Sequence, residues 1–120
     1  MKSTSHMVTI HPYFKIHPGK VDTVKASLPA FVNQTTPESK NLFYAFTLDG
    51  DELFCREGYM DGDAVLTHLA NVQVLLDELL KNSDLIRLEI HGPSAELEKL
   101  KEPLAELKPK WFVHQCGVER

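Results

Sequence analysis

The chain has 120 residues, of which 42% are hydrophobic and 25% are charged, a composition typical of one small globular domain with its own core. Its formal net charge of −4 argues against nucleic acid as a partner, and no apolar run is long enough to span a membrane. The two cysteines lack the spacing of a metal site or a redox pair, which indicates free thiols in a reducing compartment, so we expect a cytoplasmic protein.

The first strand is predicted where apolar and polar residues alternate, over residues 8–16, and Pro12 predicts a bulge or an unpaired position within it. Residues 1–7 show no such pattern and end in a second methionine. We therefore expect residues 1–7 to be an unstructured start or a leftover of an expression tag. A single domain is predicted over residues 8–120.

The next elements are a helix and a hairpin. Residues 21–32 have apolar side chains at helical spacing, and Pro29 inside them predicts a kink or an early end. Residues 41–48 and 53–60 predict two strands joined by Asp49-Gly50-Asp51-Glu52, a strong hairpin signal. The first of these strands is apolar on both faces, so both should be covered. Helices can cover one face of the sheet in a chain of this size. The other face would then be left uncovered, which predicts a partner subunit.

A second helix is predicted over residues 62–81. His68 lies at the edge of its apolar arc, and Asn71 lies further round, at the boundary with solvent. Because an imidazole titrates near neutral pH, a histidine held against a core can act as a base. The alternative is a packing histidine that contacts Leu75 and bonds a backbone carbonyl, and the sequence leaves both open.

The last predicted elements are a strand over residues 85–91, a third helix over residues 95–107 that is broken near Pro103, and a short strand over residues 111–113. The full order is β-α-β-β-α-β followed by an extra C-terminal helix and strand. This order predicts an α+β fold, the ferredoxin-like split β-α-β arrangement with an antiparallel sheet and two helices on one face. The uncovered face predicts a homodimer packed sheet to sheet.

Residues 36–69 resemble the antibiotic biosynthesis monooxygenase family of dimeric α+β barrels. The resemblance rests on the strand start Asn41-Leu42-Phe43-Tyr44, the strand end Phe54-x-x-Glu57-x-Tyr59-x-Asp61 and the helix pattern Ala64-x-x-x-His68-Leu69. One departure is the loop Pro37-Glu38-Ser39, where the family usually has Glu-Pro-Gly. Members include oxygenases that act on quinols and polycyclic phenols without metal or flavin, and haem-degrading enzymes.

The resemblance implies a homodimeric monooxygenase that acts on a small phenolic or quinol substrate without a cofactor or a metal. His68 would be the catalytic base, and the substrate would be bound by Asn71, Tyr13, Tyr44 and Tyr59. The haem-degrading members have a helix tryptophan where this chain has His68, which argues against haem. The alternative is a non-catalytic dimeric barrel that binds a small hydrophobic ligand.

A second group of polar residues falls on the other side of the first and last core strands. Its members are His11, Tyr13 and Lys15 in the first strand, and Arg87, Glu89 and His91 in the last. These two strands are neighbours in the predicted sheet, so the side chains should meet. Two histidines and a glutamate can ligate a metal, but here they lack the spacing of a metal motif. Ion pairing at a polar dimer interface is the favoured interpretation.

Overall fold

The computed structural model describes residues 6–119. Its elements are β1 (Val8–Ile16), α1 (Val21–Thr35), β2 (Asn41–Asp49), β3 (Glu52–Tyr59), α2 (Gly62–Asn71), α3 (Gln73–Leu79), β4 (Ser83–Gly92), α4 (Ser94–Lys101), a 3-10 turn (Ala105–Leu107) and β5 (Lys110–Val113). This order confirms the predicted α+β fold with an extra C-terminal helix and strand. Of the predicted leading segment, residues 1–5 lie outside the described part of the chain.

The five strands form one mixed sheet in the order β2-β3-β1-β4-β5. β1 pairs antiparallel with both β3 and β4, so the first and last core strands are neighbours, as predicted. β5 extends the sheet by pairing in parallel with β4. The predicted hairpin joins β2 and β3 through Gly50 and Asp51, and Gly50 has a φ of 60°, which glycine adopts without strain.

The two prolines differ in how far they disturb regular structure. Pro12 pairs with Leu88 of β4, but the ladder between β1 and β3 skips His11 and Pro12, which confirms the predicted unpaired position on that side. α1 continues through Pro29, so the predicted early end is wrong. Val24 and Phe31, buried before and after this proline, hold both parts of the helix in the core, which offsets the missing backbone hydrogen bond.

The helix predicted over residues 62–81 is in fact two helices, α2 and α3, which meet at Val72. Hydrogen bonding continues across the junction, because the amide of Val72 donates to the carbonyl of His68 and its carbonyl accepts from Leu76. The interruption falls next to Asn71, whose side chain is bonded to α1. A tertiary contact of this kind leaves no local sequence pattern. The predicted break near Pro103 is confirmed, since α4 ends at Lys101.

All four helices pack on one face of the sheet. Two buried clusters form the core there, one around Val8, Tyr59, Val65, Ile90 and Leu100, the other around Phe14, Ile16, Val24, Leu53 and Val72. The opposite face of the sheet carries partly exposed aromatic rings, including Phe43 and Phe112. Within residues 6–119, no helix is both long and apolar enough to cross a membrane.

Candidate functional site

A cavity of about 80 Å³ lies between the helices and the inner face of the sheet. Its few polar lining groups are Tyr44, Cys55, Glu57 and His68, and the rest of the lining is apolar. Leu80 and Leu107 are partly exposed members of the lining, so the cavity reaches the surface there. A few grouped polar side chains in an apolar cavity are typical of a site for a small organic ligand.

His68 is placed in this cavity by the start and the spacing of α2. Asp61 caps the helix, because its side chain accepts a hydrogen bond of 2.8 Å from the amide of Ala64. Val65, His68 and Val72 then follow at helical spacing and are all buried on the inner side. The residue His68 is only 2% exposed, so its ring lies within the protein interior.

The carboxylate of Glu38 holds one nitrogen of this ring. Nδ1 of His68 lies 2.9 Å from Oε2 and 3.1 Å from Oε1 of Glu38, whose side chain is 10% exposed. An ionised carboxylate only accepts hydrogen bonds, so Nδ1 carries the hydrogen and Nε2 keeps a free lone pair. The partner of His68 is therefore a carboxylate, not the backbone carbonyl of the packing alternative.

A second carboxyl group faces the other ring nitrogen. Oε1 of Glu57 lies 3.6 Å from Nε2 of His68, and the hydroxyl of Tyr59 donates to the same oxygen at 2.6 Å. Burial raises the pKa of Glu57 to about 7, while the hydrogen bond from Tyr59 acts in the opposite direction. Near neutral pH, Glu57 is therefore present in both its protonated and its ionised form.

Burial also determines the protonation of His68. It lowers the pKa of the imidazole, and the hydrogen bond and negative charge of Glu38 only partly offset this effect. The ring is therefore neutral at pH 7 and can accept a proton at Nε2. Together, Glu38, His68 and Glu57 form a group that can both take up and release a proton.

Three of the other predicted site residues lie around this group. The ring centroid of Tyr44 is 5.0 Å from that of His68, and that of Tyr59 is 5.2 Å away. Asn71 donates both hydrogens of its amide, to Oε2 of Glu38 at 2.7 Å and to the carbonyl of Gln34 at 2.8 Å. Its amide therefore has no hydrogen left for a substrate, which differs from the substrate-binding role predicted for it.

Tyr13 is not brought together with His68. It lies on the opposite face of the sheet, where its ring packs against Phe54 with the centroids 4.8 Å apart. The cause is the alternation of β1, in which Ile10 and Phe14 point inward and line the cavity, so Tyr13 must point outward. The predicted role of Tyr13 in binding a substrate beside His68 does not fit this placement.

Sequence reasoning did not assign a role to Glu38 or Glu57, although both lie in the segments that carry the family resemblance. A signal for Glu57 was present, because Leu53, Cys55, Glu57 and Tyr59 occupy the inward positions of β3. A glutamate in an inward position of a strand needs a partner. Glu38 had no such signal, since its loop follows no periodicity.

The second predicted group also comes together, on the outer face of the sheet. The rings of His11 and His91 are 4.6 Å apart, and Glu89 bonds both Arg87 and His91, the latter at 3.3 Å. Among the described residues, no three histidine, cysteine, aspartate or glutamate side chains are placed to hold a metal ion. The cluster is held by ion pairs and aromatic contacts.

No protein-family model and no curated protein sequence matches the chain. Its structure matches that of MupZ from Pseudomonas fluorescens with a TM-score of 0.92 and 35% identity, over 96% of this chain and 95% of that one. The chain belongs to the same family as MupZ.

Other solved structures share the fold at lower sequence identity. An antibiotic biosynthesis monooxygenase matches with a TM-score of 0.61 and 18% identity, over 69% of this chain and 92% of that one. Rv0793 from Mycobacterium tuberculosis matches with a TM-score of 0.63 and 21% identity, over 72% and 94%. These identities support the fold alone. The chain has the antibiotic biosynthesis monooxygenase-like fold, which confirms the resemblance seen in the sequence.

Proposed function

We propose that the protein is a cofactor-independent enzyme in which His68, held by Glu38, acts as a general base on a small, mainly apolar substrate. The observation that carries this proposal is the position of His68 between two carboxyl groups in an apolar cavity, with Nδ1 bonded to Glu38 and Nε2 facing Glu57. A buried imidazole oriented by a carboxylate is a common form of general base. A single water molecule needs about 10–15 Å³, so the cavity of about 80 Å³ suits a small ligand.

The reaction that the fold suggests first is monooxygenation of a small phenol or quinol. Nε2 of His68 would take the proton of the phenolic hydroxyl, and the charge of Glu38 would stabilise the imidazolium that forms. The phenolate could then pass an electron directly to dioxygen, after which one oxygen atom would enter the substrate, the other would leave as water, and the substrate would be oxidised to a quinone. The apolar walls would hold substrate and gas together, and the ring of Tyr44 beside His68 offers a face for an aromatic substrate.

A second candidate is an acid–base reaction that consumes no dioxygen. It is favoured by Glu57, whose pKa of about 7 lets it carry a proton at neutral pH beside a neutral base. His68 would remove a proton from one substrate atom while Glu57 supplies one to another. Isomerisation, elimination, addition and hydrolysis are reactions of this kind.

Incubation of the protein with a panel of quinols and phenols, in air and without oxygen, tests both candidates. Oxygen uptake is measured in air, and product formation is measured in both atmospheres. His68→Ala is expected to abolish turnover, and mass spectrometry of the product separates the two reactions. A gain of oxygen from labelled dioxygen supports the monooxygenase. Product formed equally well without oxygen supports the acid–base reaction.

The matched control is His17→Ala, which removes an exposed histidine bonded to Asp84 at 3.1 Å. This variant should turn over substrate at the wild-type rate. Equal turnover by His68→Ala and the wild type would remove His68 from the reaction. Binding of the panel compounds without turnover in either atmosphere would favour a non-catalytic, ligand-binding barrel.

We also propose that the protein forms a homodimer through the outer face of its sheet. Phe43 and Phe112 are 37% and 40% exposed on that face, and single large rings in such positions are often covered by a partner. Phe43→Lys is expected to weaken the dimer, since it puts a charge into the contact. Sedimentation equilibrium measures the mass, and a monomeric wild-type protein at micromolar concentration would contradict the proposal.

A further inference from the structure

Asn71 lies one turn after His68 on α2, on the same side of the helix. Its amide nitrogen bonds the carboxylate that holds His68, at 2.7 Å from Oε2 of Glu38. The same nitrogen bonds the carbonyl of Gln34 in α1 at 2.8 Å. Asn71 therefore links the end of α1, the loop that carries Glu38 and the helix that carries His68.

Gln34 fixes Asn71 in turn. The side-chain amide of Gln34 donates to Oδ1 of Asn71 at 3.0 Å and to its backbone carbonyl at 3.3 Å. The orientation of the Asn71 amide is therefore set, with its oxygen towards Gln34 and its nitrogen towards Glu38. The contacts form a chain that runs from Gln34 through Asn71 and Glu38 to His68.

Glu38 needs such support because of where it lies. It belongs to the loop between α1 and β2, and a glutamate in a loop loses several freely rotating bonds when it is fixed. Without Asn71, the carboxylate could turn away from Nδ1 of His68 and be solvated, since its side chain is not fully buried. The ring would then lose the acceptor that keeps the hydrogen on Nδ1.

We propose that Asn71, fixed by Gln34, is a positioning residue that holds the Glu38 carboxylate against Nδ1 of His68 and so leaves Nε2 free to accept a proton. Its meaning for catalysis rests on the proposed function, but the positioning itself can be measured without a substrate. The titratable side chains that face the His68 ring are Glu38, Glu57, Tyr44 and Tyr59. Of these, Asn71 bonds Glu38.

The test is the protonation state of His68, read from long-range proton–nitrogen NMR spectra of histidine-labelled protein over a pH titration. The wild type should show the hydrogen on Nδ1. Asn71→Ala should lose this dominant form and should show a lower pKa for His68, because the contact with Glu38 favours the charged ring. Asn33→Ala, at an exposed asparagine of α1, is the matched control and should leave the spectrum unchanged.

A second variant, Gln34→Ala, tests the same proposal at an exposed position. It should shift the spectrum of His68 in the same direction but less, because Asn71 keeps its bonds to Glu38 and to the backbone of residue 34. An unchanged tautomer and pKa in Asn71→Ala overturns the proposal. If that variant does not fold, an unchanged spectrum in Gln34→Ala overturns it.

The outcome is separable from the proposed function. A shifted His68 spectrum in Asn71→Ala, together with a wild type that turns over no substrate, would keep the positioning role and reject the enzyme. If the wild type is active, the rate of Asn71→Ala should fall more steeply than its substrate affinity, and its pH profile should follow the new pKa of His68. Turnover with the wild-type pH profile would contradict a role through Glu38.

Discussion

On the inner face of the sheet His68 lies between Glu38 and Glu57, whereas on the outer face His91 lies beside Glu89 and Arg87. Both clusters pair a histidine with glutamate at hydrogen-bond distance, so they differ little in composition. They differ in burial, since the side chain of His68 is 2% exposed and that of His91 is 40% exposed. Within one chain, the same residue types thus lie in the interior on one face of the sheet and are held by ion pairs at the surface of the other.

The largest difference between the two faces should be the effect of Glu57 on how the unfolding free energy depends on pH. The folded-state pKa of Glu57 is raised to about 7 from an ordinary value of 4.5, so its contribution to stability is full at low pH and is lost as the pH rises through about 7. Glu57→Gln removes this loss. The difference in unfolding free energy between this variant and the wild type should therefore shift in favour of the variant by about 3 kcal/mol as the pH rises from about 5 to about 8. One pKa unit corresponds to about 1.4 kcal/mol.

Urea denaturation of both proteins across this pH range measures the difference. The control is Glu52→Gln, at an exposed position of the same strand, which should leave the pH dependence of unfolding unchanged. A difference between Glu57→Gln and the wild type that stays constant with pH would mean that Glu57 is ionised throughout, and would remove the proton donor from the site.

Removing a single hydroxyl group on each face sharpens the comparison. Tyr59→Phe deletes the donor that bonds the buried carboxyl of Glu57, and should cost about 1–3 kcal/mol of unfolding free energy. It should also raise the pKa of Glu57 further, because that hydrogen bond favours the ionised form. Tyr13→Phe on the outer face should change stability little. Chemical denaturation compares the pair, and equal costs would contradict the difference in burial.

Glu38→Gln tests how far the inner cluster depends on charge. A neutral amide keeps the shape of the side chain but loses its negative charge, so the pKa of His68 should fall and stability should drop by about 1–2 kcal/mol. An NMR titration of His68 gives the pKa, and denaturation gives the stability. A rise in the pKa of His68 would show that Glu38 does not act on it as a carboxylate.

Substitution in the cluster on the outer face should have the smallest effect on the unfolding free energy. Glu89 is covered by Arg87 and His91, whose own side chains are 50% and 40% exposed, and ion pairs with such exposed partners contribute less than about 1 kcal/mol. Glu89→Gln should therefore change the unfolding free energy of the monomer within this limit, as measured by denaturation at low protein concentration. A loss as large as that in Tyr59→Phe would mean that both clusters are structural to the same degree.

Much of the fold was predictable because it follows local rules. Alternation gave the strands, the Asp49-Gly50 pair gave the hairpin, and the element order gave the adjacency of β1 and β4. The site was less predictable. His68 was found from helical spacing, but Glu38 reaches it through a loop whose path depends on α1 and β2. The split at Val72 likewise depends on a contact between two helices.

Two features of the site follow from the alternation of the strands. Tyr13 falls on the polar positions of β1 together with His11 and Lys15, so the alternation that predicted the strand also placed Tyr13 on the outer face. Glu57 falls on the apolar positions of β3, which should have marked it as buried. The period of two in each strand therefore separates the outward Tyr13 from the inward Glu57.

The segment that follows β4 contributes Leu104 and Leu107 to the lining of the cavity, while every polar lining group comes from β2, β3 or α2. Part of the apolar wall is thus encoded in a stretch of the chain that carries none of the polar lining groups. Exchange of residues 93–113 between relatives would therefore change the shape of the cavity while Tyr44, Cys55, Glu57 and His68 stay the same.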